Sequence, residues 1–394
     1  MTADGPLLQA AADLHNAGRV KEAIAVYREL AKGTLTVTLA RNLGQSLYEI
    51  GQHAEAETWL GLAARNRAGD PGLRIALGWL YSAQGRIDLA ELEFRTALAL
   101  KPDDVAATLG LASLYLSVGR YREGWPLMEA RTDLPGALIP AGPPSIPPWR
   151  GEAVAGKTIL VCPEQGFGDH IQMARFAATL KARGAARVTL SCRPPLAALL
   201  AQVDGVDAVI SLPPGEAVSV GAHDYWTRYF SLPHHLGVTL EALPSAPYVT
   251  APVDRRATWA GWSGVGICWQ VSATGANARN KALPPDQAQR LLDLGAVSLH
   301  PEDTGAKDFA DTAAILEQLD LVISVDTAVA HLAGAMGKPC WTLAPGRLTD
   351  WRWGRAGDTS PWYPSMRLYR QAPSEDWSRV VDQVAADLAA LRRT

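Results

Sequence analysis

Hydrophobic and polar positions alternate differently in the first third of the chain and in the rest. Up to about residue 133, four helix-turn-helix units align on the turns Gly18-Arg19, Gly51-Gln52, Gly85-Arg86 and Gly119-Arg120, spaced 33, 34 and 34 residues apart. Beyond residue 156 short apolar runs of strand length appear, at 157–162, 187–192, 206–211, 223–228, 264–270, 295–300, 319–325, 339–344 and 366–370. Helical stretches lie between most of them, including 170–183, 285–293 and 327–336, and a last helix is expected over about 375–392. Short apolar strands alternating with helices predict parallel sheets covered on both faces.

The helical units have the period of the tetratricopeptide repeat, which they resemble, and the third is the clearest copy. With Pro71 as its first position, Gly78, Tyr81, Ala90, Phe94, Ala97 and Pro102 fall where that motif expects them. The first and fourth units depart from it; in the fourth, Gly124 and Arg131 replace small residues. Such an array either braces a neighbouring domain or presents its inner helices to an extended protein segment.

The stretch "LPGALIPAGPPSIPPW" from Leu134 to Trp149 holds six prolines and reads as a stiff connector. The fold class expected is therefore α plus α/β. Repeats occupy 1–133 and the linker 134–150, with Rossmann-like halves at 151–255 and 256–374 and a helix over 375–394 that packs back across both halves. In such sheets ligands bind beyond the carboxyl ends of the strands.

Composition narrows the function. The 37 Lys and Arg against 40 Asp and Glu leave a net charge of −3 without a dense basic run, so nucleic acid is not an expected partner. No apolar stretch approaches the roughly 18 residues of a membrane span, and the N-terminus has no signal-peptide pattern. The four cysteines are far apart, three of them in strand-like runs, and read as buried thiols. A cytoplasmic protein is expected.

Candidate chemistry gathers at strand ends. The run "LDLVISV" leads into Asp326-Thr327 and a helix "AVAHLAGAM" that stops at Gly337. Asp326 or Thr327 caps that helix, or its free amides at Thr327 and Ala328 receive a diphosphate. His331 lies one turn on, on the same face. Arg279 and Lys281 follow the strand "GVGICWQ" and are either solvated loop charges or a phosphate clamp. No DxD triplet occurs, so cations and helix amides rather than a metal would neutralise a diphosphate, and no cofactor is expected.

The stretch "EQGFGDHIQM" begins just after the strand-like run "KTILVC". Its glycines lack the third member of a dinucleotide fingerprint, whose place is taken by Ile171, and it has no P-loop ending. Asp169 with Gln172 fits a capping box. A carboxylate there also faces the cleft and can take a proton from a hydroxyl. Gly166 and Gly168 around Phe167, after Gln165, let backbone approach a ligand closely.

Together these residues resemble GT-B glycosyltransferases of the heptosyltransferase-like family, and bacterial proteins that join tetratricopeptide repeats to such a domain in the manner of O-GlcNAc transferases. The segments "PPWRGEAVAGKTILV", "EQGFGDHIQMARF", "DFADTAAILEQLDLVISVDTAVAHLAGAMGKP" and "DWRWG…SPWYPSMRLYRQ" carry the resemblance. It implies a GT-B fold with Asp169 as general base, Lys281 on donor phosphate, and Asp326, Thr327 and His331 lining the donor diphosphate and sugar. The first half is short, the loop before Lys281 reads "ANARNK", and His300-Pro301-Glu302-Asp303 stands where a glutamine-containing loop is usual. Those departures bear on donor identity rather than reaction type.

The expectation is a metal-independent glycosyltransferase that moves a sugar from a nucleotide-activated donor to a hydroxyl of a protein, such as a surface or flagellar protein held by the repeats. Arg279 assists Lys281, and Trp351 and Arg352 help close the donor site. The rival is a non-catalytic scaffold with a degenerate nucleotide-sugar fold; a lipopolysaccharide-type acceptor is a third reading.

Overall fold

A computed structural model describes residues 5–134, 139, 142–164, 166–216, 218–272 and 277–391. Gln165 and part of the loop before Arg279 therefore lie outside the described residues. Eight antiparallel helices come first: α1 Gly5–Asn16, α2 Val20–Leu30, α3 Val37–Glu49, α4 His53–Asn66, α5 Pro71–Ala83, α6 Ile87–Leu100, α7 Val105–Ser117 and α8 Tyr121–Met128. The four turn glycines all have φ between 75° and 80°, a conformation that a side chain resists. Asp70 caps α5 through the amides of Gly72 and Leu73 (2.9 and 3.3 Å), with Pro71 in the first turn. Neighbouring units close tightly on the Phe94 ring: a Cβ at Gly78 or Gly110 would lie 2.7 or 2.4 Å from it.

Two sheets follow. The first has the order β3-β2-β1-β4, from β1 Thr158–Cys162, β2 Arg187–Cys192, β3 Ala208–Ser211 and β4 Tyr225–Arg228, all parallel. The second has the order β6-β5-β7-β8-β10-β9, from β5 Val265–Cys268, β6 Val297–Ser298, β7 Leu321–Val325, β8 Cys340–Ala344, β9 Thr359–Ser360 and β10 Tyr363–Arg370. Among the described strands only β9 runs antiparallel, against β10. Each strand expected from the sequence is present, and the architecture is a helical repeat array followed by two α/β sheets. The four cysteines sit in β1, β2, β5 and β8 and are free thiols. The final helix, Ser378–Leu391, was expected to cross both halves. Instead its buried Val380, Val381, Val384 and Leu388 pack with Ile323 and Leu343 of the second sheet.

The repeats lie with their turn edge along the α/β part. Arg347 Nη1 donates to the Glu49 carbonyl at 3.2 Å, and Arg355 Nε to Ser117 Oγ at 2.7 Å. A Cβ on Gly119 would lie 2.7 Å from Leu240 Cδ2. The fourth unit goes further. Its Ala112, Leu116, Tyr121, Trp125 and Met128 share one continuous core with Ile159 and Val161 of β1 and with Trp353, Trp362 and Tyr363. The first two units and the start of the third have a core of their own, from Ala11 to Leu80. At the far end of the connector, Pro148 bridges Trp226, so this stretch runs along the edge strand β4.

Candidate active site

Two helices from different sheets meet at the centre of the α/β part. α9, Phe167–Ala174, leaves β1; the helix Ala328–Ala335 leaves β7. β1 has β2 on one side and β4 on the other, and β5 lies between β6 and β7. Both are places where chain direction across the sheet reverses, which is where open α/β sheets leave a crevice. The helices touch at their starts: a Cβ on Gly168 would lie 2.6 Å from His331 Cδ2 and 3.4 Å from Ala328 Cα.

The helix expected over 170–183 starts earlier and is broken. α9 begins at Phe167 with Gly166 as its N-cap, and a second helix, Phe176–Ala182, follows Arg175. Asp169 is thus the third helical residue and not the cap. Its Oδ2 reaches back to accept the Gly166 amide at 2.7 Å, and its Oδ1 accepts Arg352 Nη2. Gln172, expected to complete a capping box with Asp169, is buried instead and accepts Arg352 Nε.

Arg352 ties the two halves together. It is 6% exposed, and Nη1 donates to Asp350 Oδ2 at 2.6 Å while its own amide donates to Asp350 Oδ1 at 3.0 Å. Its guanidinium lies 4.7 Å from the Trp351 ring and 5.1 Å from that of Phe230. Burial disfavours its charge, but Asp350, Asp169 and Asp326 outweigh that and raise its pKa. Burial likewise opposes ionisation of Asp350, and Arg352 overcomes it, so this carboxylate stays below its usual range.

Lys281 Nζ lies 2.8 Å from Asp326 Oδ2, with the aspartate side chain 5% exposed. Burial works against the ammonium, and Asp326 more than restores it. Thr327 caps the helix at Ala328 by accepting the Val329 amide at 3.3 Å, and its hydroxyl sits 3.1 Å from Ser324 Oγ. His331 Nδ1 is 2.9 Å from the Tyr363 hydroxyl, and the ring stacks on Trp353 at 5.2 Å. Burial first, and Arg352 second, push its pKa down to about 3, so it is a neutral imidazole near pH 7.

Asp169, Lys281, Asp326, Thr327, Ala328, His331 and Arg352 therefore converge. Phe167 sits beside them, 5.2 Å from Phe309 of the second half and 4.0 Å from the Arg193 guanidinium. One residue expected here lies elsewhere, and a second reaches Arg352 from the side of the repeats. Arg279 packs on the first repeat turn, where a Cβ on Gly18 would meet its Nη1 at 1.7 Å. Trp351 meets Trp125 of α8 edge-on at 5.3 Å and Trp362 at 5.8 Å. Sequence reasoning missed Asp350, Glu164 and Tyr363. Asp350 alone had a local signal, standing two residues before Arg352.

Two family models match separate parts of the chain. A tetratricopeptide repeat model matches residues 8–71 and 75–124. A glycosyltransferase family 9 (heptosyltransferase) model matches residues 267–350. Tetratricopeptide repeats precede a glycosyltransferase family 9 region. That is the combination the sequence resembles. The matched region contains Lys281, Asp326, Thr327, His331 and Asp350, whereas Asp169 lies outside it. Protein FlbA of Caulobacter vibrioides is 24% identical over 442 residues, covering 95% of this chain and 71% of FlbA. Among solved structures, MamA of AMB-1 is 25% identical over 32% of this chain and 76% of its own, with a TM-score of 0.29. A tetratricopeptide repeat protein of Parabacteroides merdae is 22% identical over 33% of this chain and 52% of its own, with a TM-score of 0.30. Among the described residues, no helix is long and apolar enough to cross a membrane.

Proposed function

We propose that this chain is a cytoplasmic, metal-independent glycosyltransferase that moves a sugar from a nucleotide-activated donor to a hydroxyl of a protein acceptor held by the repeats. The observation that carries this reading is the Asp169–Arg352 pair, which joins a carboxylate on the helix after β1 to a cation beside the groups of the second half proposed to bind phosphate. The acceptor oxygen attacks the anomeric carbon, the bond from that carbon to the diphosphate breaks, and the hydroxyl proton passes to Asp169 Oδ1. Asp169 Oδ2 stays on the Gly166 amide, which fixes the direction of Oδ1. Lys281, Arg352 and the amides at the start of the helix Ala328–Ala335 neutralise the diphosphate as it leaves. Donor phosphate competes with Asp169 for Arg352, so donor binding frees the base.

The repeats support a protein acceptor because α3, α4 and α5 line an open cavity of about 240 Å³, with Gln45, Tyr48, Glu49, Leu60, Ala76 and Trp79 at its walls. A surface or flagellar protein modified before export fits that reading. The rival, a non-catalytic scaffold, draws on the same ion pairs, since Lys281 and Arg352 already have carboxylates.

Incubating the protein with nucleotide sugars in EDTA, and following release of the nucleotide diphosphate in the presence of candidate acceptor proteins, separates the two. A thermal-shift screen of nucleotides selects the donor, since ligand at 100 times its Kd adds about 2.7 kcal/mol. Donor binding with no transfer to any acceptor supports the scaffold.

A further inference from the structure

We propose that Arg131, in the turn that ends the repeat array, is a positioning residue for Asp169; this rests on the catalytic reading above. Arg131 lies in the 3-10 turn Glu129–Asp133 and is 4% exposed. Its Nε and Nη2 each donate to Glu164 at 2.9 Å, a two-pronged ion pair, and Nη2 also reaches Ser231 Oγ at 3.0 Å. Glu129 closes the network, accepting from Arg131 Nη1 and from Ser231 Oγ, both at 2.8 Å.

Glu164 is where the repeats take hold of the loop after β1. Its side chain is wholly buried, and Oε1 also accepts the Phe230 amide at 2.8 Å. Its carbonyl accepts His170 Nε2 at 2.6 Å, and that ring stacks on Tyr229 at 4.6 Å. Glu164 is thus anchored through its side chain to the repeat array and through its backbone to α9. Two residues later comes Gly166, whose amide holds the Asp169 carboxylate. The Phe230 ring lies under both guanidinium groups, 5.8 Å from that of Arg131 and 5.1 Å from that of Arg352.

A buried ion pair of this kind is weak evidence for added stability, because desolvation of both charges opposes the attraction. Its fork geometry does fix direction. A reacting group displaced by about 1 Å costs on the order of 10²-fold in rate. Loosening the loop therefore lowers turnover while leaving Lys281 and the start of the helix Ala328–Ala335, proposed to hold phosphate, in place.

The test is the full-length double variant Arg131→Met with Glu164→Gln, which removes the pair without leaving a buried charge alone. The expected result is amide hydrogen exchange across residues 163–174 faster by about tenfold or more. Alongside it, kcat falls by roughly 10- to 100-fold, and the Kd of inorganic pyrophosphate, measured by calorimetry, does not rise. Arg131→Lys, which keeps the charge but loses the fork, lies between wild type and the double variant. Arg86→Met, which breaks a surface pair between the third repeat and Glu57 of the second, leaves all three readouts as they were. Unaltered exchange at 163–174 in the variants overturns the proposal. So does a loss of pyrophosphate affinity that matches the loss in kcat. Wild-type protein that transfers no sugar sinks the catalytic reading alone, and the exchange measurement still decides whether Arg131 holds the loop.

Discussion

Arg352 of the second α/β half donates to Asp169 of the first, and the same guanidinium holds Asp350 and Gln172. One buried cation therefore sets the distance between the residue proposed to take a proton and the groups proposed to hold phosphate. Asp169→Asn tests the proton role. Asparagine still presents an oxygen to the Gly166 amide but has no charge for a proton. Turnover is expected to fall by about 10²–10⁴, with donor affinity not weakened, since phosphate no longer competes with a charged Asp169 for Arg352. Initial rates and calorimetry on the same preparation check this, and full activity in the folded variant removes Asp169 from the chemistry.

Lys281→Ala has two expected effects. Loss of a charge-assisted phosphate contact weakens nucleotide diphosphate binding by about 1.5–3 kcal/mol. Asp326 is also left buried without its cation, a loss of roughly 3–5 kcal/mol when one partner of a buried pair is removed. Lys281→Met with Asp326→Asn separates the two effects: it recovers melting temperature but not affinity. Unchanged affinity in either variant, measured in EDTA, takes Lys281 out of the donor site.

His331 predicts an acid-sensitive fold. Its folded pKa of about 3 lies below the usual 6.5, so between those values the unfolded chain binds a proton that the native protein does not. Stability contributed by the neutral ring is present above pH 6.5 and is lost as pH falls toward 3. From pH 7 to pH 5 the loss is about 2 kcal/mol from this residue. His170, pushed down to about 4 mainly by burial, adds to the same trend. His331→Asn keeps a polar partner for Tyr363 and removes the titration. Urea unfolding at pH 7 and pH 5 is expected to show a smaller loss in the variant than in wild type; equal losses disprove the assignment to His331.

Much of this arrangement was legible in the chain. The nine expected strands are rich in apolar and β-branched residues, and burial on both faces favours such runs. The antiparallel β9 has two residues and left no pattern to read. The start of α9 was misplaced because its cap, Gly166, has no side chain to announce it, whereas Asp169 looks like a cap and sits at the third position. Arg279 and Lys281 are two residues apart, yet one turns to the repeats and the other to Asp326. That divergence depends on tertiary packing alone. Arg131 and Glu164 are 33 residues apart across the proline-rich stretch, so nothing local pairs them.

The last prediction concerns where the chain can be cut. The proline-rich connector invites a fragment starting at residue 146, but the fourth repeat shares its core with the first sheet. Cutting there uncovers the faces of Trp351 and Trp362 that meet Trp125, and leaves the buried Glu164 without Arg131. An unpaired buried carboxylate and exposed tryptophans both favour unfolding or association. A fragment starting at Asp70 keeps the third and fourth repeats; it uncovers Leu73, Leu77 and Leu80, which pack on the second unit, but toward the α/β part it gives up only contacts such as Arg279 on Gly18 and Arg347 on the Glu49 carbonyl. Repeat arrays tolerate such a cut because each unit rests mostly on its neighbours. Fragment 70–394 is expected to be monomeric, to unfold cooperatively and to bind the donor nucleotide as the whole chain does. Fragment 146–394 is expected to aggregate. Size-exclusion chromatography and thermal melts of both decide the matter. A monomeric, cooperative 146–394 would falsify the view that the fourth repeat is a wall of the catalytic half and not merely a handle for acceptor proteins.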